Sequence, residues 1–220
     1  MKVAAFGDSI TAGQYLGESD TYLHKLAARF GFETVNAGVP GNTTGQGLAR
    51  FERDVVAHRP DICIVAFGMN DHVNTAPDKA RTPIDDFRGN LAEIVRRLRA
   101  ERIAPLLCTI NPIIEGDAGQ YYYSRHPREW YRRPDGAQAW IDAYSEAVRG
   151  VARSLEVPLA DIALRWQRHI DEGGRLHDLL RTVENSGAAD GVHPTAAGQE
   201  LFAECIGDAL AAHFPVREAR

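Results

Sequence analysis

Residues 2–13 read KVAAFGDSITAG, in which an apolar segment leads directly into small and polar residues. The composition of residues 2–6 predicts a strand, and Ser9 follows this strand among turn-prone residues. Ligands of parallel α/β sheets bind beyond the carboxyl ends of the strands. Ser9 is therefore placed where a nucleophile would be expected.

Short apolar runs alternate with helical patterns along the rest of the chain. The predicted strands are residues 2–6, 33–37, 61–67, 104–109 and 158–161. Between and after them, apolar residues recur at helical spacing, as in 84–98, 140–155 and 201–210. Parallel strands need long crossover connections, which these helices supply. The expected fold is a three-layer α/β/α sandwich with a roughly five-stranded parallel sheet, built as one domain over residues 1–220.

Residues 111–136 interrupt this alternation with an irregular segment rich in tyrosine, arginine and proline. A segment of this length without periodicity is usually functional or mobile. It follows the fourth predicted strand, so it should emerge at the same sheet edge as Ser9. A lid, a sugar-binding surface and a subunit interface are the alternatives for its role.

The charge and apolar pattern limit the partners of the chain. Its net charge is −5, so the broad cationic surface that binds nucleic acid is not expected. The longest apolar run, 62–67, is too short for a membrane span, and no export signal precedes the first predicted strand. We therefore expect a cytoplasmic protein without stable membrane insertion, for which a homo-oligomer is possible.

The cysteine pattern bears on cofactors. The chain has three cysteines, Cys63, Cys108 and Cys205, and no two of them form a Cys-x-x-Cys pair. The odd number and the spacing argue against a disulfide framework and against a zinc site. No clustered set of metal ligands is visible either. Neither a metal nor an organic cofactor is expected.

Three later blocks complete a pattern that begins at residues 5–13: 36–43 (NAGVPGNT), 68–71 (GMND) and 190–194 (DGVHP). In this order the four blocks resemble the SGNH hydrolases, also called the GDSL esterase/lipase family. The resemblance extends from the first predicted strand to the last predicted helix. Any single block is weak evidence, because Gly-Asp-Ser and Asp-x-x-His occur in many proteins. The absence of a Gly-x-Ser-x-Gly motif distinguishes the chain from the α/β-hydrolases.

The resemblance implies a serine hydrolase that acts on a small-molecule ester. In it, Ser9 is the nucleophile, His193 the base and Asp190 the group that orients the base. The oxyanion hole would consist of the backbone N–H groups of Ser9 and Gly41 and the side-chain amide of Asn70.

Each of these residues also has a structural interpretation. Ser9 alone would be a helix N-cap, and Asp190 alone would be part of a turn. Gly41 and Asn70 alone would be loop residues. The ordered combination favours the catalytic roles. Further candidates for substrate contact are Asp8, His72, Tyr122 and Trp130.

Two other classes of function fit parts of the sequence. The glycines of 38–47 follow a strand, but Pro40 and Thr43 break the Gly-x-Gly-x-x-Gly spacing of a dinucleotide site. The second class is a catalytically silent binding protein of the same fold, which the complete catalytic set disfavours.

Among esterases, the mixture of tyrosine and arginine in 111–136 favours short-acyl esters, especially acetyl esters on carbohydrate. The alternative is a lysophospholipase or thioesterase that acts on longer acyl chains.

Overall fold

The structure is a computed structural model that describes residues 1–117 and 119–219. Its strands are β1 (Lys2–Gly7), β2 (Glu33–Gly38), β3 (Ile62–Ala66), β4 (Asn74–Ala76), β5 (Lys79–Ala80), β6 (Ala104–Cys108) and β7 (Leu159–Ala160). Five of them form one parallel sheet in the order β2-β1-β3-β6-β7. Within it, Val3 of β1 pairs with Thr34 of β2 and with Ile62 of β3.

Helices cover both faces of the sheet. They are α1 (Ser9–Ala12), α2 (Tyr22–Phe30), α3 (Thr44–Asp54), α4 (Ile84–Ala100), α5 (Ala137–Ser154), α6 (Ile162–Asp171), α7 (Leu176–Leu179), α8 (Val183–Ser186) and α9 (Ala196–His213). On one side α4 packs between α3 and α5, and on the other α9 packs between α2 and α6. The predicted three-layer α/β/α class is therefore confirmed. Within the described ranges, no helix has both the length and the apolar character to cross a membrane.

The sheet strands are apolar because both of their faces are covered. Phe6 of β1, Ile64 of β3 and Leu106 of β6 are fully buried. Parallel strands enclosed between two helical layers have no solvent face, so their sequences show runs of apolar residues instead of alternation. The five predicted sheet strands agree with the observed ones to within two residues at either end.

The antiparallel hairpin of β4 and β5 was not predicted from the sequence. Its strands contain three and two residues, which is too short for a period of two to be recognised. Asp78 in the connecting turn adopts a positive φ of 53°, a conformation that aspartate tolerates better than most residues.

The irregular segment 111–136 contains two short 3₁₀ helices, Tyr121–Ser124 and Arg128–Trp130. Residue 118 lies outside the described residues. Three of the tyrosines, Tyr122, Tyr123 and Tyr131, are buried and pack against the core. The part of the segment that carries these tyrosines therefore belongs to the hydrophobic core.

A buried arginine joins the ends of the first two strands. Arg50 of α3 donates from its two terminal nitrogens to the carbonyls of Gly7 and Ala37, in each case at 2.8 Å. Its Nε donates to Oδ1 of Asn42 at 2.7 Å, and Asp54 balances its charge at 3.0 Å. One guanidinium therefore fixes both strand ends and the loop that follows β2.

Replacing this guanidinium should destabilise the fold. In Arg50→Ala the two strand-end carbonyls lose charged donors, so we expect the free energy of unfolding to fall by about 3 kcal/mol. Urea denaturation at pH 7 measures the change. Arg53→Ala is the matched control, because the Arg53 side chain on the same helix is 76% exposed and should change stability little. Equal effects of the two substitutions would contradict the role given to Arg50.

Candidate active site

Ser9 is the first residue of α1, two residues beyond the end of β1. The side chain of Asp8 caps this helix by accepting from the backbone N–H of Ile10 at 3.0 Å. The N–H of Ser9 itself lies in the first turn, where a helix offers it no internal partner. Gly7 is required just before it, because a Cβ there would lie 2.5 Å from the carbonyl oxygen of Ala66. The short turn thus presents both the hydroxyl and the N–H of Ser9 at the sheet edge.

His193 and Asp190 come from the loop before α9. This loop is held by two backbone hydrogen bonds, from Arg181 N to the His193 carbonyl and from Gly191 N to the Arg181 carbonyl, each 2.9 Å long. Gly191 has a φ of 68°, and a Cβ there would lie 2.8 Å from the carbonyl oxygen of Ile114. The turn that positions the two side chains therefore requires glycine.

The three side chains form a continuous chain of hydrogen bonds. The Ser9 Oγ lies 3.0 Å from Nε2 of His193, and Nδ1 of His193 lies 2.8 Å from Oδ2 of Asp190. Because the carboxylate accepts, Nδ1 carries the proton and Nε2 is free to accept from the serine hydroxyl. This is the geometry of a nucleophile with its base and the group that orients the base.

Asp190 remains ionised although it is buried. Burial acts to raise its pKa, but the hydrogen bond and charge of His193 oppose this effect. The backbone N–H groups of His193 and Val192 add donors at 3.1 and 3.0 Å, and together these contacts lower the pKa of Asp190 to about 2. A permanent carboxylate at this position stabilises a positive charge on the imidazole.

Asn70 and the loop after β2 lie on the other side of the serine. The Asn70 Nδ2 donates to the carbonyl of Asn42 at 3.2 Å and to Oδ2 of Asp8 at 3.3 Å. Both bonds are long for N–H···O contacts, so a negatively charged oxygen would compete well for this amide. Gly41 is exposed beside Asn42 with a φ of 78°, and this positive φ gives a local reason for glycine at that position.

A buried carboxylate joins the Asn70 block to the start of α3. The Oδ1 of Asp71 accepts from the backbone N–H of Thr44 at 3.0 Å and from its hydroxyl at 2.6 Å. The same hydroxyl accepts from the Asn90 side chain at 3.0 Å. Asp71 therefore holds the blocks that carry Gly41 and Asn70 at a fixed separation.

A small cavity of about 140 Å³ opens beside the serine. Its lining residues are Ser9, Met69, Asn70, Val73, Tyr122, Arg125, His126, Val192 and His193. Val73 and Tyr122 are buried, so they form a fixed wall.

Hydrogen bonds behind that wall hold Tyr122 in place. The Nδ1 of His72 donates to the Gly68 carbonyl at 3.2 Å, and its Nε2 therefore accepts from the Tyr122 hydroxyl at 2.9 Å. The Tyr122 oxygen accepts from the Tyr131 hydroxyl at 2.8 Å, and the Tyr131 oxygen accepts from the Asn74 backbone N–H at 3.0 Å. Burial lowers the pKa of His72 to about 3, so its ring stays neutral.

The structure brings some of the expected substrate contacts to the cavity and not others. Tyr122 lines it. His72 is fully buried behind Tyr122, and Asp8 is enclosed beneath the serine, where it caps α1. Trp130 is held at the β4–β5 hairpin, where its carbonyl accepts from the Asn74 side chain at 2.6 Å. None of these three lines the cavity, so the structure does not bring Asp8, His72 and Trp130 to it.

Other lining residues were not found from the sequence. They are Met69, Val73, Arg125, His126 and Val192. Met69 belongs to the 68–71 block and Val192 to the 190–194 block, while Arg125 and His126 lie in the irregular segment. The sequence pointed to these residues only through their position in or next to the 68–71 and 190–194 blocks and the irregular segment. In residues 1–117 and 119–219, no group of three or more His, Cys, Asp and Glu side chains could hold a metal ion.

Known proteins resemble this chain in sequence and in fold. The model of the GDSL-like lipase/acylhydrolase family matches residues 5–201. The uncharacterized lipoprotein YqeF of Bacillus subtilis (strain 168) is 34% identical over 218 residues, covering 94% of this chain and 88% of that protein. An acetylxylan esterase of Geobacillus stearothermophilus is 23% identical over 189 residues, covering 84% of this chain and 74% of that protein. The crystal structure of the lipase/acylhydrolase from Enterococcus faecalis has a TM-score of 0.71 at 25% identity, covering 100% of this chain and 98% of that one.

Asp8 should give the stability of the protein a specific pH dependence. Burial raises its pKa to about 7, although the Ile10 N–H opposes the shift. Since this value lies above the value of about 3.9 expected in the unfolded chain, folding favours the protonated form. The stability that Asp8 contributes is complete below pH 4 and is lost as the pH rises through 7.

Asp8→Asn removes this titration. The quantity of interest is the free energy of unfolding of the variant minus that of the wild type. We expect this difference to rise by roughly 2–4 kcal/mol from pH 4 to pH 8. A constant effect of the new amide shifts the difference equally at every pH and leaves this rise unchanged. Urea denaturation at five pH values measures it. Asp208→Asn, at a side chain that is 74% exposed, serves as the control. A difference that does not vary with pH would overturn the assignment.

Proposed function

The chain belongs to the GDSL-like lipase/acylhydrolase family and is a serine ester hydrolase, and we propose that it cleaves short-acyl esters, acetyl esters above all. The observation that carries this proposal is the hydrogen-bonded Ser9, His193 and Asp190 beside a cavity of only about 140 Å³. The proposed reaction forms an acyl-enzyme on Ser9, which water then hydrolyses.

In the first half of the reaction, Ser9 Oγ attacks the ester carbonyl while His193 Nε2 takes the hydroxyl proton. Asp190 stabilises the resulting imidazolium. The carbonyl oxygen becomes negative and is bound by the N–H groups of Ser9 and Gly41 and by the Asn70 amide. Such donors are each worth about 3–4 kcal/mol because they are oriented before the charge develops.

In the second half, the intermediate collapses and the C–O bond to the alcohol breaks. His193 gives its proton to the departing alcohol oxygen, which leaves an acyl ester on Ser9. A water molecule then attacks this ester as His193 takes its proton, and the carboxylic acid leaves as Ser9 recovers its hydrogen.

The size of the cavity supports a short acyl group. Sites for drug-sized ligands usually enclose about 300–1,000 Å³, well above the space beside Ser9. A long acyl chain would have to displace Val73 or Tyr122, and Tyr122 is held by the hydrogen bonds to His72 and Tyr131. These contacts favour a short-acyl esterase over a lysophospholipase or thioesterase. The relative that is an acetylxylan esterase supports an acetylated carbohydrate as the substrate.

Turnover should depend on Ser9 and His193 acting as a unit. We expect Ser9→Ala and His193→Ala each to lower kcat for p-nitrophenyl acetate by about 10³-fold or more, and the double variant to be little worse than either. Initial rates of nitrophenol release measure the effect. Ser154→Ala, at an exposed serine at the end of α5, is the control and should retain wild-type activity. Independent, multiplicative losses would contradict the shared mechanism, and an absence of Ser9-dependent turnover would favour a silent binding protein.

The wall of the cavity should set the acyl length. Val73→Ala removes two methyl groups from that wall, so we expect the kcat/KM ratio of the C6 to the C2 p-nitrophenyl ester to rise about fivefold or more. A series of esters from C2 to C12, assayed below micellar concentrations, measures this ratio. Val183→Ala is the matched control, because Val183 on α8 is 57% exposed. An unchanged ratio in Val73→Ala would place the acyl group elsewhere, and a wild-type preference for C12 would overturn the short-acyl proposal.

A further inference from the structure

Tyr15 is an exposed aromatic side chain beside the catalytic histidine. In the described residues the large exposed apolar side chains are Met1, Tyr15, Leu164 and Val183, and Tyr15 is the aromatic one among them, with 57% of its surface exposed. Its φ of 72° is uncommon for a tyrosine and follows the αL residue Gly13 that ends α1. The turn is closed by a backbone hydrogen bond from Gln14 N to the Ser9 carbonyl at 3.0 Å. The chain thus holds this ring beside His193 in a backbone conformation that tyrosine rarely adopts.

Two side chains fix the orientation of the ring. The Tyr15 ring is nearly perpendicular to the His193 ring, with centroids 5.2 Å apart. The guanidinium carbon of Arg181 lies 4.5 Å from the Tyr15 centroid, so this cation covers one face of the ring. Arg181 is itself mostly buried, at 18% exposure, and its backbone N–H is bonded to the His193 carbonyl. The contacts with Arg181 and His193 restrict the motion of the ring. The exposed surface of the Tyr15 ring is called the platform below.

The platform and the small cavity contact the same imidazole. His193 lines the cavity, whereas Tyr15 and Arg181 do not. The buried side chains of Val73 and Tyr122 form one wall of the cavity and limit it to a short group, while the platform is open to solvent and places no limit on size. An ester with one small half and one large half therefore fits the site in one direction, with its acyl group in the cavity.

We propose that Tyr15, supported by Arg181, binds the alcohol half of the ester, and that this alcohol carries a sugar ring. This inference rests on the proposed function. His193 Nε2 must reach the departing alcohol oxygen, so the alcohol lies next to the histidine that Tyr15 contacts. A tyrosine offers a flat apolar face to the C–H groups of a pyranose and a hydroxyl to its polar groups, and a ring that is already oriented loses little entropy on binding.

An exposed platform also suits a sugar better than an alkyl alcohol. A sugar keeps most of its hydroxyl groups in water while one face stacks, whereas an alkyl chain gains from being enclosed by apolar surface. Around Tyr15 the structure provides one aromatic face and the charged Arg181.

The test varies the alcohol while the acyl group stays acetyl. The two substrates are a monoacetylated methyl xylopyranoside and isopropyl acetate, and released acetic acid is measured by titration. For Tyr15→Ala we expect the kcat/KM ratio of the pyranoside to isopropyl acetate to fall about tenfold, mainly through a higher KM for the pyranoside. Tyr15→Phe keeps the stacking face and should retain the ratio to within about threefold. Leu164→Ala, at an exposed side chain of α6, should show the wild-type ratio.

The outcomes separate the inference from the function on which it rests. If Tyr15→Ala lowers kcat/KM for both acetates by the same factor, Tyr15 merely supports His193 and the inference is overturned, while the esterase function stands. If neither acetate shows Ser9-dependent hydrolysis by the wild-type protein, the proposed function fails and the inference fails with it. Urea denaturation of Tyr15→Ala confirms that the variant is folded, as expected for an exposed side chain.

Discussion

The geometry of the site depends on the parallel pairing of β1 between β2 and β3. Parallel strands end on the same side of a sheet, so the segments that follow these three strands meet at one edge. The segments carry Ser9, Gly41 and Asn70, which are far apart in sequence. Arg50 strengthens this arrangement by binding the carbonyls that end β1 and β2 and the side chain of Asn42. Burial of a charged group costs free energy unless its donors are hydrogen-bonded. The hydrogen bonds of Arg50 and its ion pair with Asp54 offset this cost, and the same bonds fix two loops.

Buried polar groups hold the second layer of the site. Asp71 binds Thr44 and so fixes the separation of the Gly41 and Asn70 blocks. His72 and Tyr131 fix the hydroxyl of Tyr122, which forms part of the cavity wall. Buried hydrogen-bond networks of this kind restrict side chains to one arrangement, which a site of defined size requires. The two networks therefore give Asp71, His72 and Tyr131 a structural role next to Ser9 and its cavity.

The sequence allowed the sheet to be predicted, and Ser9, Asp190 and His193, which it singled out, lie within hydrogen-bonding distance in the structure. Long apolar runs such as that of β3 are a local signal, and the ordered blocks around Ser9 and His193 are specific in combination. Contacts across the fold gave no such signal. His72 follows Asn70 closely in sequence, yet the turn directs it into the core behind Tyr122. The burial of a polar side chain depends on tertiary packing, so a sequence pattern cannot separate it from a substrate contact.

Tyr15 and Arg181 illustrate the same limit at the surface. They are separated by most of the chain, and their contact exists because the turn after α1 meets the loop that carries His193. A tyrosine in a loop and an arginine near a turn are each unremarkable in a sequence.

Their proximity gives the site two unequal sides, one a small cavity with a buried wall and the other an open aromatic face. A buried wall would select the acyl group by size, since an extra methylene group has to displace fixed side chains. An open ring selects by the shape and polarity of the face that stacks on it, and it leaves the rest of a large alcohol in water. In the proposed mechanism a single histidine between the two sides serves both halves of the ester. Its Nε2, which lies 3.0 Å from Ser9 Oγ, would first accept the proton of Ser9 and afterwards return it to an alcohol bound against the Tyr15 ring.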